Sequence, residues 1–152
     1  MSSMILCPTR GGKDSYPNQD WAVALAKERG VGVLFLYISN VEFLGLTAAP
    51  KLIDIEHELD EMGEFMLTMA QERAEKAEVS ASTLVMHGHF RDVLCEVIEE
   101  HEIGTVVLGS STGGTGVVTE SYIQSVIDEI HGTTEVEFII VDSGEIVNTY
   151  KP

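Results

Sequence analysis

Residues 4–39 have the sequence MILCPTRGGKDSYPNQDWAVALAKERGVGVLFLYIS and contain the pattern on which the architecture depends. A short apolar run, Met4–Pro8, is followed by a glycine-containing turn and then by a segment rich in helix formers, which starts near Pro17 and stops at Gly30. A second apolar run with β-branched residues, Val31–Ser39, follows. Strand, helix and strand in this order predict a parallel βαβ unit with a right-handed crossover.

The same alternation continues to the end of the chain. Helical patterns separate apolar runs that are short enough to be strands buried on both faces. We therefore predict an α/β fold: one doubly wound domain over residues 1–142, a five-stranded parallel sheet with helices on both faces, and a C-terminal tail over residues 143–152. The predicted strands are Met4–Pro8, Val31–Ser39, Ser82–His87, Thr105–Gly109 and Val136–Asp142.

The longest helical pattern spans about Lys51 to Ala77, and its large apolar residues recur at steps of three and four. This spacing predicts a single apolar stripe that faces the core, in which methionines act as adaptable filler. The stripe consists of Leu52, Ile55, Leu59, Met62, Met66 and Met69.

Length and charge exclude several classes of protein. The chain has 152 residues, enough for one domain, and its nine basic and twenty-five acidic residues give a formal charge of −16. This charge repels phosphate backbones and anionic lipids, so we expect neither nucleic-acid binding nor membrane insertion. The two cysteines, Cys7 and Cys95, form no CxxC pair, and the N-terminus does not resemble a signal peptide. These features favour a cytoplasmic protein.

The loops after the first and fourth strands have the composition of an anion site. In doubly wound sheets, ligands bind outside the carboxyl ends of the strands where the strand order reverses. Both loops are rich in glycine and precede a helix, whose N-terminal N–H groups attract anions. Arg10 and Lys13 bring positive charge to the first loop of an otherwise acidic chain. The candidate residues for binding a nucleotide or phosphate are Pro8, Thr9, Arg10, Gly11, Gly12, Lys13, Ile38, Met86, Gly88, Gly109, Ser110, Ser111, Thr112, Gly113, Gly114, Thr115, Gly116 and Ser121.

No motif for catalysis accompanies these loops. The sequence contains neither a nucleophile elbow nor a GxxxxGK[ST] phosphate loop. His87 and His89 have the spacing of two ligands on one side of a strand, but no third metal ligand stands at motif spacing. Cys7 lies inside the first strand and is better explained as a small buried residue than as a nucleophile. We therefore predict a non-catalytic protein without a metal site.

Several segments together resemble the universal stress protein family over nearly the whole chain. They are the first strand ending in Pro8, the turn Gly88-His89-Phe90 before the helix Asp92–His101, TVVLGSS at 105–111 and FIIVD at 138–142. The resemblance implies strand order 3-2-1-4-5, with strands one and four at the switch point. It also implies a cytoplasmic homodimer that pairs through the last strand, and a small regulatory protein. Some members bind ATP or AMP, with Mg²⁺, between the two loops.

The glycine motif of the ATP-binding members is incomplete here. That motif has a glycine, two residues, a glycine, nine residues and then Gly-Ser or Gly-Thr. Counted from Gly109, the later glycines fall on Thr112 and Tyr122; counted from Gly113, the last falls on Val126. Nucleotide binding and a pocket that has lost its ligand, in a module that only binds other proteins, both remain open.

The segment Arg10–Ser15 resembles a second family. Its sequence, RGGKDS, is similar to the SGGxDS loop of the PP-loop ATP pyrophosphatases, with Arg10 in place of the leading serine. In that family the loop holds the pyrophosphate of ATP during adenylation. An enzyme that cleaves ATP is therefore the alternative.

Arg10 also replaces the acidic residue that ATP-binding universal stress proteins usually carry in the first loop, which favours a phosphate or carboxylate ligand.

Overall fold

The computed structural model describes residues 4–9, 16–39, 49–109, 120–131, 135–142 and 145–151. Strands and helices alternate along the chain up to the fifth strand, as the sequence predicts, and a further strand follows. The elements are β1 (Met4–Pro8), α1 (Tyr16–Arg29), β2 (Val33–Ser39), α2 (Ala49–Lys76), β3 (Ala81–His87), α3 (Phe90–Glu100), β4 (Ile103–Gly109), α4 (Glu120–His131), β5 (Glu137–Asp142) and β6 (Glu145–Tyr150).

The strands form one sheet in the order β3-β2-β1-β4-β5-β6. The first five strands are parallel, which confirms the doubly wound α/β fold and the order 3-2-1-4-5. The predicted number of five strands was wrong, because β6 adds a sixth strand antiparallel to β5, with Asp142 opposite Glu145 and Phe138 opposite Tyr150. β6 lies in the segment predicted as a tail. Its sequence, EIVNTY, lacks the continuous apolar run of a strand buried on both faces, so the pattern that found the other strands misses it.

Two cores lie on opposite faces of the sheet. Because side chains alternate along a strand, Leu6 of β1 points into one core while Ile5 and Cys7 point into the other. The first core packs against α3 and α4, and the second against α1 and α2. Full burial of one such aliphatic side chain stabilises the fold by about 1.5–3 kcal/mol, so both helical layers are held by many equivalent contacts.

Helix α2 is oriented differently from the prediction. Met62 and Met69 are exposed, and the prediction that they fill the core was wrong. The buried face is formed instead by small residues and one leucine: Gly63, Leu67, Ala70 and Ala74. Glycine and alanine contribute little to a hydrophobic periodicity, so the sequence pattern does not show this face. They nevertheless allow a helix to lie close to a sheet.

Gly63 shows how close this approach is. A Cβ atom at position 63 would lie 2.8 Å from Cγ and Cε1 of the Tyr37 ring on β2. No side chain fits between the ring and the helix backbone, so glycine is required here for packing.

Within the residues that the structure describes, every helix is too short or too polar to cross a membrane.

Candidate functional site

The carboxyl ends of β1 and β4 lie side by side. β1 is the central branching strand: the chain leaves it toward β2 and β3 on one side and returns to β4 on the other. The paired residues of β1 and β4 run to Leu6 and Val106, and each strand continues to the start of its loop, at Thr9 and Gly109. This is the switch point of the sheet, where ligands bind in doubly wound folds. The first and fourth loops therefore start from adjacent positions.

Thr9 is fixed where the first loop starts. Its side chain is buried, and its backbone N–H donates to the Leu36 carbonyl at 2.8 Å, which extends the β1–β2 pairing by one residue. Its Oγ1 accepts a hydrogen bond from Gln19 Nε2 at 2.9 Å. The start of the loop is thus held by both a neighbouring strand and the first turns of α1.

Gln19 carries a buried acceptor that no described residue satisfies. Its side chain is 2% exposed, and Oε1 has no hydrogen-bond partner among the residues that the structure describes. An unsatisfied buried acceptor costs about 1–3 kcal/mol. Gln19 shares the buried face of α1 with Ala22, Val23 and Ala26. Sequence analysis missed Gln19, although a glutamine at steps of three, four and seven from apolar residues was a detectable signal.

Asn18 connects the N-terminus of α1 to both strands. The Cys7 thiol on β1 points to the Asn18 carbonyl, with Sγ and O 4.0 Å apart. On the other side, a Cβ atom at Gly109 would clash with the Asn18 side-chain amide. Glycine at the end of β4 thus lets α1 approach the switch point. Asn18 was also missed, because no sequence pattern indicates a contact between the first helix and the fourth strand.

The remaining described candidates lie at or near the same edge of the sheet. Ile38 and Met86 are register partners on β2 and β3, and both are half-buried. Gly88 follows β3 with φ of +132°, a backbone conformation that favours glycine. Ser121 lies in the first turn of α4. The other candidates lie outside the described residues: Arg10, Gly11, Gly12, Lys13, Ser110, Ser111, Thr112, Gly113, Gly114, Thr115 and Gly116.

Two of the basic groups near this edge are paired with carboxylates on the helices. His87 Nε2 lies 2.9 Å from Asp60 Oδ2 on α2. Arg91 Nε lies 3.1 Å from Glu129 Oε2 on α4. Both groups are therefore already engaged within the protein.

Neither cysteine has the properties of a nucleophile. Cys7 is completely buried, and burial raises the pKa of its thiol to about 12. The pKa of the Cys95 thiol is also raised, first by burial and then by Glu129, Glu99 and Asp92. Both thiols are protonated at neutral pH and so are weak nucleophiles. The described part of the chain contains no group of three or more His, Cys, Asp or Glu side chains arranged to hold a metal.

A hollow with a volume of about 330 Å³ lies at the amino ends of the strands, on the opposite side of the molecule from the switch point. Its lining comes from the end of α1 and the starts of β2 and β3, and includes Lys27, Glu78 and Ser80. In folds of this type ligands bind at the carboxyl ends of the strands, so the switch point is the better candidate.

Comparisons with known proteins agree on the fold. The universal stress protein family matches residues 1–134. The structure of the universal stress protein UspA from Lactobacillus plantarum is 19% identical, covers 91% of this chain and 97% of that one, and has a TM-score of 0.71. A universal stress protein from Archaeoglobus fulgidus in complex with dAMP is 14% identical, covers 92% and 97%, and has a TM-score of 0.58. None of the curated proteins compared with the chain matches it.

A protein of the same family from Arabidopsis thaliana, with AMP bound, is 14% identical, covers 92% of this chain and 91% of that one, and has a TM-score of 0.62.

Proposed function

Because the chain belongs to the universal stress protein family, we propose that it is a small, non-catalytic regulatory protein that binds an adenine nucleotide at the switch point between β1 and β4. The observation that carries this proposal is the junction of β1, β4 and α1: Thr9 and Gly109 start the two glycine-rich loops from adjacent positions, and Asn18 contacts both strands. Two relatives of the same fold were crystallised with dAMP and AMP.

The chemistry of the candidate residues fits a nucleotide. Ile38 and Met86 present half-buried apolar surface, which suits the adenine ring. The glycines and hydroxyl residues at 109–116 suit phosphate oxygens, because glycine lets backbone N–H groups approach an anion closely. Arg10 and Lys13 oppose the repulsion that a chain of formal charge −16 exerts on any phosphate.

We propose a nucleoside monophosphate rather than ATP as the preferred ligand. The motif that the ATP-binding members use has glycines where this chain has Thr112 and Tyr122. The residues that replace those glycines keep their backbone N–H groups, but their side chains hinder the close approach of the outer phosphates. A single phosphate makes fewer such close contacts.

Gln19 supplies the second argument for a ligand. Its buried Oε1 lacks a donor, and its Nε2 holds Thr9 at the start of the first loop. A ligand N–H or O–H group that reaches this oxygen satisfies an acceptor that the described protein groups leave open, and this gain adds to the affinity.

Thermal unfolding with added nucleotide tests the proposal. A ligand present at about 100 times its Kd stabilises the folded state by about 2.7 kcal/mol, which raises Tm by about 5–10 °C in a domain of this size. We expect AMP and dAMP to give a larger shift than ATP, and inorganic phosphate to give a small one. The absence of any shift at millimolar AMP, dAMP, ATP and phosphate would refute ligand binding. Pyrophosphate release from ATP would favour the PP-loop alternative.

Two variants and one control locate the binding site. Gly109→Ala displaces Asn18 from the end of β4, and Gln19→Met removes the orphan acceptor, so both should reduce the AMP-induced shift. Thr68 lies on the exposed surface of α2, so Thr68→Ala should leave the AMP-induced rise in Tm unchanged. Equal shifts in all four proteins would exclude the switch point as the binding site.

The homodimer and the cytoplasmic location are further parts of the proposal. β5 is not an edge strand, because β4 and β6 cover both of its sides. A dimer that pairs through the last strand therefore uses the outer edge of β6. Light scattering should give a mass near twice 16.6 kDa; a monomer at micromolar concentration would exclude this dimer.

A further inference from the structure

Helix α2 has an apolar row on its solvent side. The row consists of Met62, Phe65 and Met69, at steps of three and four, with exposed fractions of 50%, 67% and 38%. Residues at these steps lie on one face of a helix. Large apolar side chains that are exposed singly need no explanation, but a continuous row of them marks a surface that contacts another molecule.

The apolar row does not belong to the core. The buried face of α2, which contains Gly63, Leu67 and Ala74, lies on the opposite side of the helix, because residues two positions from Phe65 are about 200° away around the axis. The helix therefore has two apolar faces. The sheet covers the one made of small residues and leaves the one made of Met and Phe in solvent.

Carboxylates border the apolar row on one side. Glu61 and Glu72 are exposed and lie about 40° and 20° from Phe65 around the helix axis, on the side away from Met62 and Met69. Glu58, also exposed, is in line with the row, one turn before Met62. On the other side of the apolar row, α2 contacts α1. Arg73 of α2 pairs with Asp20, and the guanidinium carbon of Arg73 lies 4.1 Å from the centroid of the Tyr16 ring. The charge of Arg73 is thus engaged. Lys76, exposed at the end of α2, is a positive group on the same face, four residues after Glu72, so the acidic margin is strongest around Glu61.

We propose that the apolar row is a docking surface for a basic amphipathic helix of a partner protein. Met and Phe adapt to many apolar contacts, and an amphipathic helix binds through anchors at the same spacing of three and four. Lysine or arginine beside those anchors meets Glu61 and Glu72, which gives charge complementarity.

Charge also decides against a second copy as the occupant. Two α2 helices packed through their apolar rows bring Glu61 and Glu72 of one copy toward the same carboxylates of the other. This like-charge contact is local to α2, so it opposes pairing through the apolar row and does not bear on pairing through β6. A basic partner experiences the opposite force.

A labelled peptide provides the test. The probe is an 18-residue synthetic helix with leucines at steps of three and four on one face and lysines on the others, and its binding to the whole protein is followed by fluorescence anisotropy. We expect saturable binding that weakens as salt rises. The double variant Phe65→Ser/Met69→Ser should weaken it about tenfold or more, as loss of interface anchors does. Thermal unfolding of this variant verifies that it is folded, since Met69 is only 38% exposed and loses some packing.

Matched controls distinguish binding at the apolar row from nonspecific attraction of a basic peptide to an acidic protein. A scrambled peptide of the same composition has no apolar face and should bind at least tenfold more weakly. Glu61→Gln/Glu72→Gln should weaken binding of the amphipathic peptide, whereas Glu96→Gln/Glu99→Gln on the exposed side of α3 should not. Equal binding of both peptides, or an equal effect of both charge pairs, overturns the proposal. A dimer that Phe65→Ser/Met69→Ser dissociates also overturns it, in favour of a second copy.

Discussion

Gly63→Ala should destabilise the protein, although alanine is the better helix former. In the interior of a helix, alanine is favoured over glycine by about 1 kcal/mol. In this structure the new Cβ would lie 2.8 Å from two atoms of the Tyr37 ring. Overpacking of this kind costs about 1–3 kcal/mol, and the closeness of the ring argues for the upper part of that range. We expect a net loss of about 1–2 kcal/mol and a fall in Tm of about 3–6 °C.

Urea and thermal unfolding of three variants measure this effect. Thr68→Ala, one turn further along α2 and exposed, gains helix propensity without a clash and should stabilise by a few tenths of a kcal/mol. Combining Gly63→Ala with Tyr37→Leu, which removes the ring, should cost less than the two single changes added together. If Gly63→Ala stabilises the protein as Thr68→Ala does, α2 does not lie against Tyr37 and the explanation for the outward-facing methionines fails.

Two further predictions concern buried and bridging groups. Burial raises the pKa of the Cys7 thiol to about 12 in the folded protein, from 9.0 for an unperturbed cysteine. As pH rises, the unfolded chain therefore loses this proton first, and the thiol's contribution to the free energy of unfolding falls between about pH 9 and 12. Urea unfolding from pH 8 upward should show that stability declines less steeply with pH in Cys7→Ala than in the unchanged protein. Identical declines in the two proteins would contradict the raised pKa of Cys7. Arg29 donates to Thr105 Oγ1 at 2.9 Å and pairs with Glu137 at 3.1 Å. Because its side chain is 42% exposed, Arg29→Ala should cost only about 0.5–1 kcal/mol in urea unfolding; full recovery by Arg29→Lys would show that the double contact is unimportant.

The architecture was predictable because it depends on burial of whole strands. Runs such as Val33–Ser39 are continuous, short and apolar, and a parallel sheet with helices on both faces is the arrangement that buries them. The loops after strands one and four, with Pro8 and Gly109, could be chosen from their glycine content. The resemblance to universal stress proteins then supplied the strand order that puts those two strands at the switch point, and the turn that contains Gly88.

Features that depend on contacts between distant residues were not predictable. The orientation of α2 is set by Gly63 against Tyr37, a pair 26 positions apart that leaves no periodic signal. Asn18 and Gly109 meet for the same reason, across 91 positions. Gln19 was overlooked because a single glutamine in a helix is usually exposed, whereas here the hydrogen bond to Thr9 holds it inside. β6 was missed because an edge strand tolerates polar residues.

β6 also affects the tendency of the protein to aggregate, because it pairs with the outer side of β5. β5 is apolar from Phe138 to Val141, and as an unprotected sheet margin it would be a template for uncontrolled strand addition. β6 is joined to it through only two residues, 143 and 144. A short tether of this kind gives an effective concentration in the millimolar range, so β6 outcompetes any free strand at cellular abundance. β6 therefore shields the apolar side of β5 from added strands and presents its own, more polar sequence at the edge of the sheet.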